Sequence, residues 1–421
     1  MGIQVELLKR IDLHDFGEVS MHTGDVNGDG KLEFVFAQGE DAPDRRASTG
    51  GYPHEKTIGC VTAIDQDGEI VWQTGTPMGS GQRKYHGRGP VLVHDLDGDG
   101  KAEVVYVTAR DSRLYLQLVR GEDGTQTAER ETGASWHISP ANLRGLDGKR
   151  DFVVNDALTL HFAYGEDLEP IWEWKYMYGG GHNWDVRDVE GTGRDDLFVG
   201  AGRYDALGNR IWFRPDLDDA MEEMGRCPHI DSVFVEQLHQ DSADYQVLWA
   251  GGKDVICLDA VSGELNWRLS GEHLQCVHTG RFDPESKDLL IYAWEKMLHK
   301  PSYMVSADGE VQWKKELGGS ANATVVRGVG PDGCDLLLLS PPVIGQKPYL
   351  LDHRGEIVVE FPLGSPTELP TRKQQTGGHG WGGDTGLGYK RMTLDLDGDG
   401  QDEILFYTRE EILIYKVTDQ E

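Results

Sequence analysis

A nine-residue acidic motif recurs along this chain and limits what the chain can become. It reads Asp25-Val26-Asn27-Gly28-Asp29-Gly30-Lys31-Leu32-Glu33. It returns as Asp95-Leu96-Asp97-Gly98-Asp99-Gly100-Lys101-Ala102-Glu103 and as Asp395-Leu396-Asp397-Gly398-Asp399-Gly400-Gln401-Asp402-Glu403. Each copy runs straight into an apolar stretch such as Phe34-Val35-Phe36 or Val104-Val105-Tyr106. A weaker copy starts at Asp188, with Glu190 and Thr192 in place of two loop positions, and eroded copies occupy 144–153, 236–248, 280–291 and 328–338. That makes eight units, roughly 45 to 70 residues apart, and internal repetition at such a spacing is the mark of a repeat architecture.

A second motif follows in most units: a turn, then Gly-x-x-x-Trp. It appears as Gly68 to Trp72, Gly208 to Trp212, Gly263 to Trp267 and Gly309 to Trp313, and in the form Gly355 to Val359 without the Trp. Glycine is frequent, 55 of 421 residues, and it punctuates short runs of Val, Ile, Leu, Phe and Tyr that read as strands. A short helix at 216–224 is the best helical candidate. Four short strands per unit, repeated radially, predict an all-β, eight-bladed β-propeller, with seven blades as the alternative count. The last unit supplies three strands, and the segment from Gln4 to Lys9 completes it, so the N-terminal strand closes the ring and removes a free edge. The chain reads as one propeller domain over 1–421, with long loops at 39–58 and 365–390. The Trp of the second motif reads as a wedge between neighbouring blades.

The acidic motif presents carboxylates and an amide on alternate residues, joined by the carbonyl of position seven. An oxygen-only, anionic cage suits Ca²⁺ better than a transition metal. The predicted ligand sets are Asp25, Asn27, Asp29, Lys31 and Glu33; Asp95, Asp97, Asp99, Lys101 and Glu103; and Asp395, Asp397, Asp399, Gln401 and Glu403, with the lysines and the glutamine acting through their carbonyls. An EF-hand is excluded, because its bidentate Glu at position twelve is here Phe36, Tyr106 or Phe406. Placed between strands, such ions are structural staples more often than catalytic ones.

The formal net charge is −31. That argues against a nucleic-acid partner, which demands a basic face. No apolar run is long enough to span a membrane. The five cysteines are scattered without a CxxC pair, which fits reduced core thiols. The chain as given shows no charged-then-apolar leader, and the expected location is cytoplasmic.

The strand-flanked acidic loops resemble the calcium-binding repeats of integrin-type (FG-GAP) propellers. With the Gly-His entries Gly181-His182-Asn183-Trp184-Asp185 and Gly378-His379-Gly380-Trp381, the pattern over about residues 17–417 resembles more closely the propeller of the rhamnogalacturonan lyases. That resemblance implies a polysaccharide or oligosaccharide lyase that cleaves uronate-containing glycans by β-elimination, with an anionic saccharide as its partner. The absence of a leading β-domain favours action on imported oligosaccharides.

Histidines gather before or within the first strand of several units: His22, His86, His137, His182, His229, His278 and His379. In a propeller these entries ring one mouth of the channel. Elimination from a uronate requires neutralisation of the carboxylate, a base for the C5 proton and an acid for the leaving oxygen. The segment Arg83-Lys84-Tyr85-His86-Gly87-Arg88 supplies every type. Arg88 is the candidate neutraliser, and His86 and Tyr85 are base and acid or the reverse. His182, His229 and His379 complete the pocket or hold Mn²⁺ or Zn²⁺. Arg83, Lys84, Trp136, His137, Trp184 and Trp381 are candidate substrate contacts. The long loops, with Arg45, Arg46, Tyr52 and His54, and with Arg372 and Lys373, are expected to wall the same mouth. Three other readings stand beside the lyase. One is a propeller glycosidase acting at rhamnose–uronate linkages, and another is a non-catalytic propeller that binds glycan or protein. The third is a quinoprotein, since residues 258–267 resemble a quinone-enzyme blade.

Overall fold

The computed structural model describes residues 2–18, 20–41, 56–77, 90–111, 113–156, 160–177, 184–217, 230–295, 300–317, 323–340, 347–363 and 390–419. These form eight four-stranded antiparallel sheets. Blade one holds Met21–Gly24, Glu33–Asp41, Lys56–Ile64 and Ile70–Gly75, from inner to outer strand. Blade two holds Val91–His94, Glu103–Arg110, Arg113–Val119 and Gln126–Thr132. Blade three holds His137–Ala141, Asp151–Asn155, Leu160–Gly165 and Pro170–Tyr176, and blade four Asp185–Arg187, Asp196–Val199, Gly202–Tyr204 and Arg210–Phe213. Blade five holds Ser232–Glu236, Gln246–Gly251, Asp254–Asp259 and Leu265–Ser270, and blade six Leu274–Gly280, Leu290–Glu295, Ser302–Val305 and Val311–Lys315. Blade seven holds Ala323–Val326, Leu336–Leu339, Tyr349–Leu351 and Ile357–Glu360.

Blade eight joins the two ends of the chain. Its first three strands are Lys390–Leu394, Glu403–Tyr407 and Glu411–Asp419, and its outer strand is Ile3–Asp12. The register runs from Ile3 against Asp419 to Asp12 against Glu411, with one irregularity between Leu7 and Lys9. The count is therefore eight, and the N-terminal strand closes the last blade as the three-strand final unit predicts. The long loop expected at 39–58 is shorter than predicted. Glu33–Asp41 and Lys56–Ile64 pair as far as Asp41 opposite Lys56, so both arms continue as strand. Of the helix expected at 216–224, a single 3₁₀ turn, Pro215–Leu217, is present, and the rest lies outside the described residues. None of the described helices is long and apolar enough to cross a membrane.

The hydrophobic core lies between blades. In a strand, successive side chains point to opposite faces. In the second strand of blade two, Val104 and Tyr106 pack on blade one, while Val105 and Val107 pack on blade three. Every neighbouring pair of blades shares such a cluster, and the ring is completed where Leu405, Ile412 and Ile414 of blade eight meet Phe34 and Phe36 of blade one. The four cysteines among the described residues form no disulfide.

The Gly-x-x-x-Trp motif acts at these seams. The indole N–H of Trp212 donates to the carbonyl of Ala260 at 3.0 Å, that of Trp267 to Ala307 at 2.8 Å and that of Trp313 to His353 at 2.6 Å, each in the next blade. Trp72 reaches Gly121 in the same way, and Trp172, which follows a different turn sequence, reaches Ala206 at 3.1 Å. The turn glycine completes the contact. Gly309 has φ +86°, and a Cβ there would lie 2.6 Å from the Trp267 ring of the preceding blade. Glycine is required both for its backbone angle and for the space it leaves.

This geometry predicts a measurable coupling. Gly309→Ala should destabilise the chain by about 2 kcal/mol or more, from a positive φ and a steric clash together. In a Trp267→Ala background the same change should cost only about 1 kcal/mol, the backbone part alone. Thermal or denaturant unfolding of the four chains of that cycle reads the difference. Equal costs in both backgrounds would rule out the contact.

Candidate functional site

In each blade the first and third strands end on one face of the ring, and the second strand ends and the inner strand begins on the other. The acidic loops are first-to-second turns. The starts of the inner strands, with His22, His137 and Trp184, open on the opposite face. From His137 to Asn142, where the corresponding loop of blade three begins, is five residues, or about 17 Å of strand. The acidic loops therefore stand at the far end of the blade from the mouth that carries His22 and His137.

The three full loops share one construction. Asp25 accepts the N–H groups of Gly28 (2.6 Å) and Gly30 (2.8 Å), Asp95 those of Gly98 (2.7 Å) and Gly100 (3.0 Å), and Asp395 those of Gly398 (2.7 Å) and Gly400 (2.9 Å). The middle residues, Asn27, Asp97 and Asp397, each accept from the residue two further on. The final glutamate is buried and braces the loop. Glu33 accepts the N–H of Val26 at 2.9 Å, Glu103 that of Leu96 at 2.8 Å and Glu403 that of Leu396 at 2.9 Å. Asp151 and Gln246 do the same for Leu143 (2.8 Å) and Leu238 (3.0 Å) in blades whose acidic motif has eroded. The carboxylates of Asp95, Asp97 and Asp99, and those of Asp395, Asp397 and Asp399, each present oxygens within 4.8 Å of one another, the spacing of a metal cage. Blade one has an asparagine in the middle position. Lys31, Lys101 and Gln401 contribute main chain, and their N–H groups donate to Asp29, Asp99 and Asp399.

On the opposite face, blades three and four bring a group of side chains together. The N–H of Trp136 donates to the Asn155 carbonyl at 3.0 Å, and the N–H of His137 to Asn155 Oδ1 at 3.2 Å. His161 is the register partner of Asn155 on the next strand. The Trp184 ring stands edge-on to both imidazoles, 5.7 Å from His137 and 5.8 Å from His161. Trp184 is 5 % exposed within the seam between blades three and four, so its ring is a packing element with no open face for a sugar. Its indole N–H and the Asn155 amide are buried donors without a hydrogen-bond acceptor among the described residues. Next to Trp184, Asp185 accepts from Val186 and Val235, both at 2.8 Å, and burial raises its carboxyl above the usual range. Burial pushes His22, which touches Ser20 Oγ at 3.0 Å, down to about 4. His278 of blade six lies 3.9 Å from the Cys276 thiol. At the same end of blade eight, Lys390 and Arg391 add positive charge, and Arg391 donates to Thr324 Oγ1 at 2.7 Å. Burial lowers its guanidinium only to about 10, so it stays cationic.

Among the predicted site residues, the structure thus places Trp136, His137 and Trp184 together. Arg83, Lys84, Tyr85, His86, Arg88, His182, His229, His379 and Trp381 lie outside the described residues, as do Arg45, Arg46, Tyr52, His54, Arg372 and Lys373. Asn155, His161 and Arg391 escape a motif search. His161 reaches the group only through cross-strand register, for which no spacing rule in the sequence stands.

The acidic loops carry a pH signature. Burial, then Asp97 and Asp99, push the Glu103 carboxyl from 4.5 up to about 7. A raised carboxyl favours the folded chain below its unfolded value and loses that contribution as pH rises through the folded one. In the presence of a chelator, Glu103→Gln should therefore stabilise the chain at about pH 8 by on the order of 1–3 kcal/mol and have little effect near pH 5. Thermal unfolding at the two pH values checks this. A stabilisation that is equal at both would refute it.

Comparison with known proteins agrees with this architecture. Residues 14–127 match the model of the C-terminal domain of rhamnogalacturonan lyase family 11. The rhamnogalacturonan exolyase YesX of Bacillus subtilis (strain 168) is 25 % identical over 325 residues, covering 64 % of this chain and 51 % of that protein. The rhamnogalacturonan endolyase YesW of the same organism is 26 % identical over 300 residues, covering 55 % and 47 %. The chain thus spans about half the length of the curated relatives it matches. The crystal structure of the exotype lyase YesX superposes with a TM-score of 0.66 at 18 % identity, over 98 % of this chain and 75 % of that one. The chain is accordingly an eight-bladed propeller that matches the C-terminal domain of rhamnogalacturonan lyase family 11 over residues 14–127 and is distantly similar to these lyases.

Proposed function

We propose that the chain is a polysaccharide or oligosaccharide lyase that cleaves uronate-containing, rhamnogalacturonan-like glycans by β-elimination. The observation that carries this reading is the match of residues 14–127 to the family 11 lyase model. The mouth on the histidine-bearing face supports it. Buried donors at Asn155 and Trp184 lack acceptors among the described residues, and Lys390 and Arg391 supply positive charge at the start of the inner strand of blade eight. With a chain charge of −31, an anionic saccharide requires such a local cationic entry.

In this reading Arg88 neutralises the uronate carboxylate. His86 and Tyr85 share the removal of the C5 proton and the protonation of the leaving oxygen. His182, His229 and His379 complete the pocket, and Arg83, Lys84, Trp136, His137 and Trp381 line it. Ca²⁺ is the ion assigned to the acidic loops, because their donors are all oxygen and mostly anionic. Its role there is to hold the turns of the ring.

The test is the ultraviolet absorbance of the unsaturated uronate product, followed with Ca²⁺ present over rhamnogalacturonan, oligogalacturonate and rhamnosyl-glucuronate substrates. A time-dependent rise is expected. His86→Ala should lower its rate by about 10²–10⁴-fold, the usual weight of a general acid or base. Reducing sugar released without absorbance would make the protein a glycosidase. Neither signal on any substrate would leave a glycan-binding propeller.

A further inference from the structure

The acidic loops differ in what neutralises them, and the difference is built into the chain. In blade eight, Lys416 comes from the third strand, Glu411–Asp419, one residue beyond the Ile404–Tyr415 pair. Its ammonium Nζ lies 2.7 Å from Asp397 Oδ2, 2.7 Å from Asp399 Oδ2 and 3.3 Å from the buried Glu403 Oε1. A single positive atom therefore touches three carboxylates of the cage, where an ion would have to sit.

The equivalent positions elsewhere behave differently. In blade two the residue one beyond the Val104–Val119 pair is Arg120, whose guanidinium turns away to Asp123 at 3.7 Å. In blade one it is Asp65, which caps its own turn by accepting the N–H of Asp67 at 2.8 Å and of Glu69 at 2.9 Å. Among the described residues, no lysine or arginine pairs with the carboxylates of Asp25, Asp29, Asp95, Asp97 or Asp99. Two other blades do carry their own cation. In blade four the buried Arg203 pairs with Asp196 and Glu190, its Nε donating to Asp196 at 2.8 Å. In blade three Arg144 Nε donates to Asp151 at 2.7 Å.

We infer that Lys416 is the resident cation of the eighth acidic loop, excluding a divalent ion from a motif that otherwise matches those of blades one and two. This rests on assigning divalent ions to such loops, but the experiment separates the two. A cation tethered by a short side chain competes at an effective concentration on the order of millimolar or above. Its displacement would also leave a positive charge beside the incoming ion. The inference further explains why the lysine stands where it does. The third strand that carries it pairs with the N-terminal strand, Ile3–Asp12. The blade that joins the two ends of the chain is thereby neutralised without any dissociable part.

The test counts Ca²⁺ bound per full chain by equilibrium dialysis and elemental analysis. Lys416→Met should bind one more ion than the parent chain, and Asp399→Asn, in the parent background, should leave the count unchanged. No gain in Lys416→Met, or a loss of one ion in Asp399→Asn, would overturn the inference. A parent chain that binds no Ca²⁺ would refute the assignment to blades one and two, yet a gained ion in Lys416→Met would still uphold the role of the lysine. Should Lys416→Met fail to fold, the Asp399→Asn count decides alone.

Discussion

The whole molecule depends on apolar contact between one blade and the next. Each blade is thin and buries side chains on both faces of its middle strands. Alone it would expose both of those faces to water. At about 25 cal/mol per Å² of apolar surface, an uncovered face costs several kcal/mol. No blade is therefore stable without two neighbours, and the arrangement is satisfied only when the row closes on itself. The pairing of Ile3–Asp12 with Glu411–Asp419 is what turns a row into a ring. It covers the edge that the three-strand final unit would otherwise leave open.

Closure also divides the molecule by direction. Because all blades run the same way, every first-to-second turn lies on one side, and every inner strand begins on the other. The side with the acidic loops is occupied with holding itself together. There, carboxylates accept backbone N–H groups, and loops bond across seams, as when the N–H of Ala102 donates to the Asp25 carbonyl at 2.7 Å and that of Asp402 to the Arg327 carbonyl at 3.0 Å. The side with Trp136, His137, Asn155 and Arg391 carries the buried Asn155 and Trp184 donors and the positive charge of Lys390 and Arg391, features that serve a ligand better than they serve packing.

Much of this was legible in the residues because it depends on local rules. The acidic turns need Gly28 and Gly30, Gly98 and Gly100, and Gly398 and Gly400 at positive φ. A sequence that meets those needs announces itself. The Trp wedges were legible for the same reason. What escaped detection depends on register. Asn155 and His161 meet because two strands pair at one offset, and Lys416 meets Asp397 and Asp399 from the next strand but one. A one-residue slip would send each of these side chains to the other face. The bracing acceptor survives as Asp151 and Gln246 where the rest of the motif is lost, because a buried N–H must still be satisfied. Eroded units therefore remained countable, though only as weak copies.

The wedges have one more consequence. Each indole points forward to a carbonyl of the following blade, so a blade has a leading side and a trailing side that are not alike. The contact is head-to-tail, the kind that generates closed rings or open helices depending only on the angle turned per step. Nothing in a wedge specifies how many steps complete the circle. The number eight belongs to the accumulated rotation of the seams, which is why the motifs alone left seven and eight both open. It also makes the seams without a tryptophan, such as the one behind Val359, the places where the circumference is least tightly keyed.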